Sequence, residues 1–123
     1  MPFRDDQRHL RDIVECIALI DSFVGDMSFG EYQQDLKTKS AVERQIQILT
    51  EAAQRLGEES GPKYLGSDWR SWCNMGNIIR HAYHQVDDEI IWNTVRSELP
   101  ELKRSVNRAL RESDPPASAS ELP

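Results

Sequence analysis

AVERQIQILTEAAQRL, residues 41–56, places Val42, Ile46, Leu49, Ala53 and Leu56 at alternating intervals of four and three. Only a helix brings residues at those intervals onto one side, where they form a nearly heptad apolar stripe. Glu43, Arg44 and Gln47 point elsewhere. A stripe of this width suits tight antiparallel packing against another helix. The fold class that follows is all-α.

The stretches on either side repeat the pattern. From Phe3 to about Val24, Leu10, Ile13, Val14, Ile17, Ile20 and Val24 recur at helical spacing, and Gly25 and Asp26 close that helix. Ser28 followed by Glu31 reads as a capping box, which predicts a short helix through Tyr32 to Asp35. Beyond residue 56 the segment GEESGPKYLGSD, with three glycines and a proline, is expected to be the one long internal loop. Asp68 is placed to cap a fourth helix running from Trp69 to about Gln85. Asp87 or Asp88 then caps a fifth, with Ile90, Ile91, Val95 and Leu99 as its buried positions and a break at Pro100 before ELKRSVNRAL. The expectation is an up-and-down bundle of four main helices plus a short one, one domain over residues 1–112. The tail 113–123, SDPPASASELP, is too rich in proline, serine and alanine to build a core and is expected to be disordered.

Composition narrows the function. A chain of 123 residues is long enough to bury a core without disulfides or metal. Neither cysteine, Cys16 or Cys73, has metal or disulfide spacing, and MPFRDDQRHLRD lacks the basic-then-apolar order of a secretion signal, so a cytoplasmic protein is expected. No apolar run is long enough to span a bilayer. The net charge of −6 argues against broad coating of nucleic acid, so any RNA site must be small and local.

The chemistry-bearing residues crowd into MGNIIRHAYHQVDDEIIWNTV, residues 75–95. On a helix Asn77, Arg80, His81 and His84 share one polar stripe with Tyr83 slightly to its side, while Ile78, Ile79 and Ala82 are free to face the core. Three readings fit. The stripe is a solvated helix face; or His81 and His84 with Asp87 or Asp88 hold a metal, although the repeated Glu-x-x-His pattern of bundle metal sites is absent; or it cleaves RNA without metal. In that last reaction the ribose 2′-hydroxyl attacks the neighbouring phosphorus, which needs a proton carrier titrating near neutrality and a fixed cation for the charge that develops. A histidine and an arginine supply both, and an asparagine orients the phosphate or holds the histidine tautomer.

Over residues 5–110 the chain resembles HepT, the HEPN-domain toxin of the HepT and MntA toxin–antitoxin pairs. The likeness is carried by AVERQIQILTEAAQRL, the run from Trp69 to Met75, Gly76 and Asn77, HAY at 81–83, VD at 86–87 and IWNTVRSELPELK at 91–103. It implies a helical homodimer that joins two motif helices around an RNA-cutting cleft, acting as a metal-independent endoribonuclease on tRNA or mRNA with no cofactor. The family motif is Arg-Asn, three residues, His, one residue, Tyr, which falls on Asn77, His81 and Tyr83. Its arginine position is Gly76.

Arg80 lies one turn beyond Gly76, and helical side chains lean toward the N-terminus, so its guanidinium is expected to reach back over the glycine and replace the family arginine. Close helix packing at the dimer seam is the other reading of Gly76. The resemblance also makes Tyr83 the residue to which a small MntA-like nucleotidyltransferase antitoxin transfers AMP, blocking the cleft by bulk and negative charge. Tyr83 otherwise reads as an amphipathic residue bridging core and solvent. His84 has at most a supporting role, and Trp69, Trp72 and Trp92 are expected as core or interface anchors. The rival to a nuclease is a HEPN dimer that has lost cleavage and binds RNA or nucleotide, or regulates a nucleotidyltransferase.

Overall fold

The computed structural model describes residues 2–81 and 87–113. Its elements in chain order are α1 (Pro2–Val24), α2 (Phe29–Gln34), α3 (Leu36–Leu65), α4 (Trp69–His81), α5 (Asp88–Asn93) and α6 (Leu99–Ser113). All are helices, and α5 and α6 act as one long element, so the bundle has four main helices and one short one, as the periodicity predicts. α3 is the hub: α1 and α4 pack on it, and α6 closes against α1. No described helix is long and apolar enough to cross a membrane. The expected tail lies outside the described residues, apart from Ser113, which ends α6.

The apolar stripes sit where their spacing puts them. Leu10, Ile13, Ile17, Ile20 and Val24 of α1 and Val42, Ile46, Leu49, Ala53 and Leu56 of α3 are all buried. The turns follow local chemistry. In the capping box the Glu31 backbone N–H donates to Ser28 Oγ at 3.1 Å and the Ser28 N–H to Glu31 Oε1 at 2.9 Å. Asp35 caps α3 by accepting the Thr38 N–H at 3.0 Å, and Asp87 caps α5 by accepting the Glu89 N–H at 2.8 Å. The bonds from Ser28 and Thr38 favour the ionised carboxylates and hold Glu31 and Asp35 below their ordinary pKa.

Three expectations are corrected. Residues 57–68 are not a loop. α3 breaks at Gly57, whose φ of 82° is open to glycine alone, and the chain resumes as helix through Leu65 before Gly66–Asp68 turn it into α4. The segment reads as a loop because its glycines and proline hide a helix held by tertiary contacts, among them Ser60 Oγ donating to Asp6 of α1 at 2.7 Å. Ile78 and Ile90, expected in the core, are 54% and 56% exposed, because α4 buries Ile79 and α5 buries Ile91 instead. The break at Pro100 takes the form of a π turn over Thr94–Glu98. The Leu99 N–H reaches back five residues to the Thr94 carbonyl, and the wider turn accommodates the proline that follows.

Candidate active site

α4 owes its position to two contacts with α3. The first is Trp69. Its indole N–H donates to the Ala53 carbonyl at 2.7 Å, in the last turn before the Gly57 break, where helical carbonyls run out of onward partners. The ring lies so close to Gly61 that any Cβ there would run into it. Trp69 thus clamps both halves of the broken α3. The second contact is Gly76. A Cβ built there would stand 2.5 Å from Thr50 Oγ1 and 2.8 Å from Thr50 Cβ. Thr50 itself is buried, its hydroxyl donating to the Gln47 carbonyl at 2.9 Å. Gly76 therefore packs within the chain, against α3.

With Trp69, Trp72, Gly76 and Ile79 turned inward, the opposite face of α4 is set. Asn77 and His81 are exposed, and Arg80 is half-buried between them and α3. The Arg80 side chain leans toward the N-terminus. Its Nη2 donates to Asn77 Oδ1 at 2.6 Å and to Gln54 Oε1 at 3.3 Å, and Nη1 lies 3.7 Å from where a Gly76 Cβ would be. The expected reach of Arg80 over the glycine is thus present. Both partners are neutral amides, so the guanidinium keeps its full charge for an anion. Asn77, accepting through Oδ1, leaves its NH2 group to donate elsewhere. The cluster offers a fixed cation, an amide donor and an imidazole within one helical turn.

Tyr83 and His84 lie outside the described residues, as does Ala82. Gln54 escapes the sequence reading altogether. It follows the core residue Ala53 on α3 and looks like any exposed polar position; only the register of α3 against α4 brings it to Arg80. Thr50 is missed for the same reason, as a polar residue with no visible mark of the glycine it faces.

Comparison with known protein families matches residues 13–109 to the one described as "Ribonuclease HepT-like". Among individual proteins, the chain is 33% identical to "Probable ribonuclease HepT" of Thermococcus cleftensis, over 81% of this chain and 91% of that protein. It is 30% identical to a "Putative RNase" of Methanocaldococcus jannaschii, over 91% and 93% of the two chains. A "Putative RNase" of Caldanaerobacter subterraneus is 32% identical over 79% of this chain and 86% of its own. No solved structure matches the chain.

Proposed function

The chain belongs to the HepT-like ribonuclease family, and from that premise we propose that it is the toxin of a HepT and MntA type pair, a metal-independent endoribonuclease. The carrying observation is Arg80 reaching back beside Gly76 to Asn77, with no carboxylate paired to it among the described residues and His81 on the same exposed face. In this reading a phosphodiester lies across Asn77 and Arg80. The 2′-oxygen bonds to phosphorus as the bond to the 5′-oxygen breaks. The hydroxyl proton passes to a neutral His81, and the leaving 5′-oxygen takes a proton from an imidazolium. Asn77 donates its amide to a phosphate oxygen, and Arg80 neutralises the charge that grows on the others. Gln54 acts on neither atom; it positions the guanidinium.

One copy of α4 presents these groups on an open helix face, and a homodimer pairing two such faces would enclose the phosphate and supply two imidazoles. The exposed Ile78 beside Asn77 gives that pairing an apolar contact. A small nucleotidyltransferase antitoxin would silence the pair by moving AMP from ATP to Tyr83, with His84 in a supporting role at most.

The test is cleavage of total tRNA by the purified chain in a metal chelator, beside His81→Ala and Arg80→Ala. Both variants are expected to lose about two to three orders of magnitude. Full activity in Arg80→Ala would discard its assigned role, and retained cutting in His81→Ala would discard the mechanism. Incubation with the partner enzyme and labelled ATP is expected to mark the wild type and not Tyr83→Phe.

One observation favours the non-catalytic alternative, an RNA-binding dimer. The place of the family arginine is filled by Thr50 from α3, so no side chain fits there. Intact RNA that binds wild type and His81→Ala alike, uncut by either, would establish that reading.

A further inference from the structure

The outer face of α4 does not end at the Asn77 cluster. Arg70, Asn74, Asn77 and His81 follow one another at intervals of four, three and four, and all four are exposed. They form a polar track about 16 Å long. Its first half borders a recess of about 420 Å³ between α4 and the Gly57 break in α3, a volume typical of small-molecule sites. Gln54, Trp69, Arg70, Cys73 and Asn74 line it, with Gly57 and the carboxylate of Glu58 on the α3 side.

Gln54 is common to the recess and the cluster, since the same amide accepts from Arg80. Burial pushes the Cys73 thiol up, and the nearby Arg70 and Arg80 guanidinium groups both pull against it. Gln54 and Asn74 face it with paired donor and acceptor groups, the equipment that reads a base edge. Trp69 is committed to Gly61 and Ala53 and serves as a wall. The planar group open for stacking is the Arg70 guanidinium, 5.7 Å from the Trp69 ring centroid. Arg70 is only loosely held. Its Nη2 stands 3.9 Å from Glu58 Oε1, both side chains are more than 70% exposed, and such pairs release easily.

We propose that this recess binds the nucleotide of the RNA strand next to the cleaved linkage, with Arg70 on its phosphate or base plane and the Gln54 and Asn74 amides on its base edge. The inference rests on the nuclease reading of the α4 cluster and adds the feature that selects where the strand is cut. A strand laid along α4 with its scissile phosphate at Asn77 and Arg80 must cross the recess one turn away.

Two measurements test it. The first maps cut positions in a random-sequence RNA by the full chain. The wild type is expected to prefer certain bases at one position flanking the cut, and Asn74→Ala to flatten that preference about tenfold while still cutting. Arg70→Ala is expected to weaken binding to all sequences and reduce the salt slope by about one. Unchanged preference in Asn74→Ala together with an unchanged slope in Arg70→Ala overturns the proposal. His81→Ala separates the two ideas, because it is expected to abolish cutting of every sequence equally.

If the wild type cuts no RNA, the nuclease reading fails by itself, and the second measurement decides the recess. In nitrogen-15 spectra of the full chain, nucleoside 5′-monophosphates are expected to move the Trp69 indole and the Asn74 and Gln54 amide signals, about tenfold more weakly in Asn74→Ala. No movement, or the same movement with inorganic phosphate, overturns it.

Discussion

α3 carries two seams that differ in kind. Where α1 lies on it, the buried groups are aliphatic on both sides, from Leu10, Ile13, Ile17 and Ile20 to Val42, Ile46 and Leu49. Where α4 lies on it, the contact is made by Trp69 on Gly61 and by Gly76 on the buried Thr50. The first seam draws its stability from area removed from water, and volume-conserving changes there are absorbed. The second sets distance. Gly76 lets α4 close on α3 with only the Thr50 side chain between them, and Trp69 bolts α4 to both sides of the Gly57 break. The Asn77, Arg80 and His81 face, and the recess beside Arg70, inherit their geometry from this second seam.

The contrast breaks most visibly at Trp69. Replacing it with alanine removes a packed ring and leaves the Ala53 carbonyl without its partner, an expected loss of about 3–5 kcal/mol in denaturant unfolding. A loss below about 1 kcal/mol would mean that the clamp is unimportant. Gly76→Ala comes next. Alanine favours a helix by about 1 kcal/mol, but its methyl group meets Thr50, and overpacking of about 1–3 kcal/mol is expected to win. The variant should be less stable than the wild type, and a cycle with Thr50→Ala should recover part of the loss. A stabilised Gly76→Ala would show that the seam has slack.

On the aliphatic seam Ile17→Val is expected to cost only about 0.5–1.5 kcal/mol and to leave the spectra of α4 unchanged. The smallest effect lies away from both seams, at Glu43. Burial raises this carboxyl's pKa, nearby Asp88 adds to the rise, and Lys39, which pairs with Asp88 at 2.9 Å, opposes it. Near and above the ordinary carboxylate value of about 4.3 the folded chain therefore holds more protons than the unfolded one, and stability falls as pH rises through that range. Glu43→Gln is expected to raise the melting temperature slightly at pH 7, with the gain fading below about pH 4. A gain that grows in acid would contradict the sign.

How much of this is legible in the chain follows from the range of each signal. Helical stripes, the Ser28 and Glu31 box, the cap at Asp87 and the clustering of Asn77, Arg80 and His81 depend on residues a turn or less apart, and the backbone alone brings such neighbours together. Even the lean of Arg80 toward Gly76 is a property of one helix. Which face a helix buries is decided elsewhere. Ile78 and Ile79, like Ile90 and Ile91, are equivalent by composition, and only the packed neighbours choose the second of each pair.

The helix hidden in residues 58–65 has no local propensity to announce it; contacts with α1 and Trp69 hold it. Gln54 beside Arg80, Thr50 beneath Gly76 and the recess at Arg70 all depend on the register of α3 against α4. By itself the sequence determined an all-helical chain with one polar, chemistry-bearing stripe, because helical periodicity is local. Tertiary structure alone decided what stands across from that stripe, because two helices choose their register through side-chain volumes far apart in the chain.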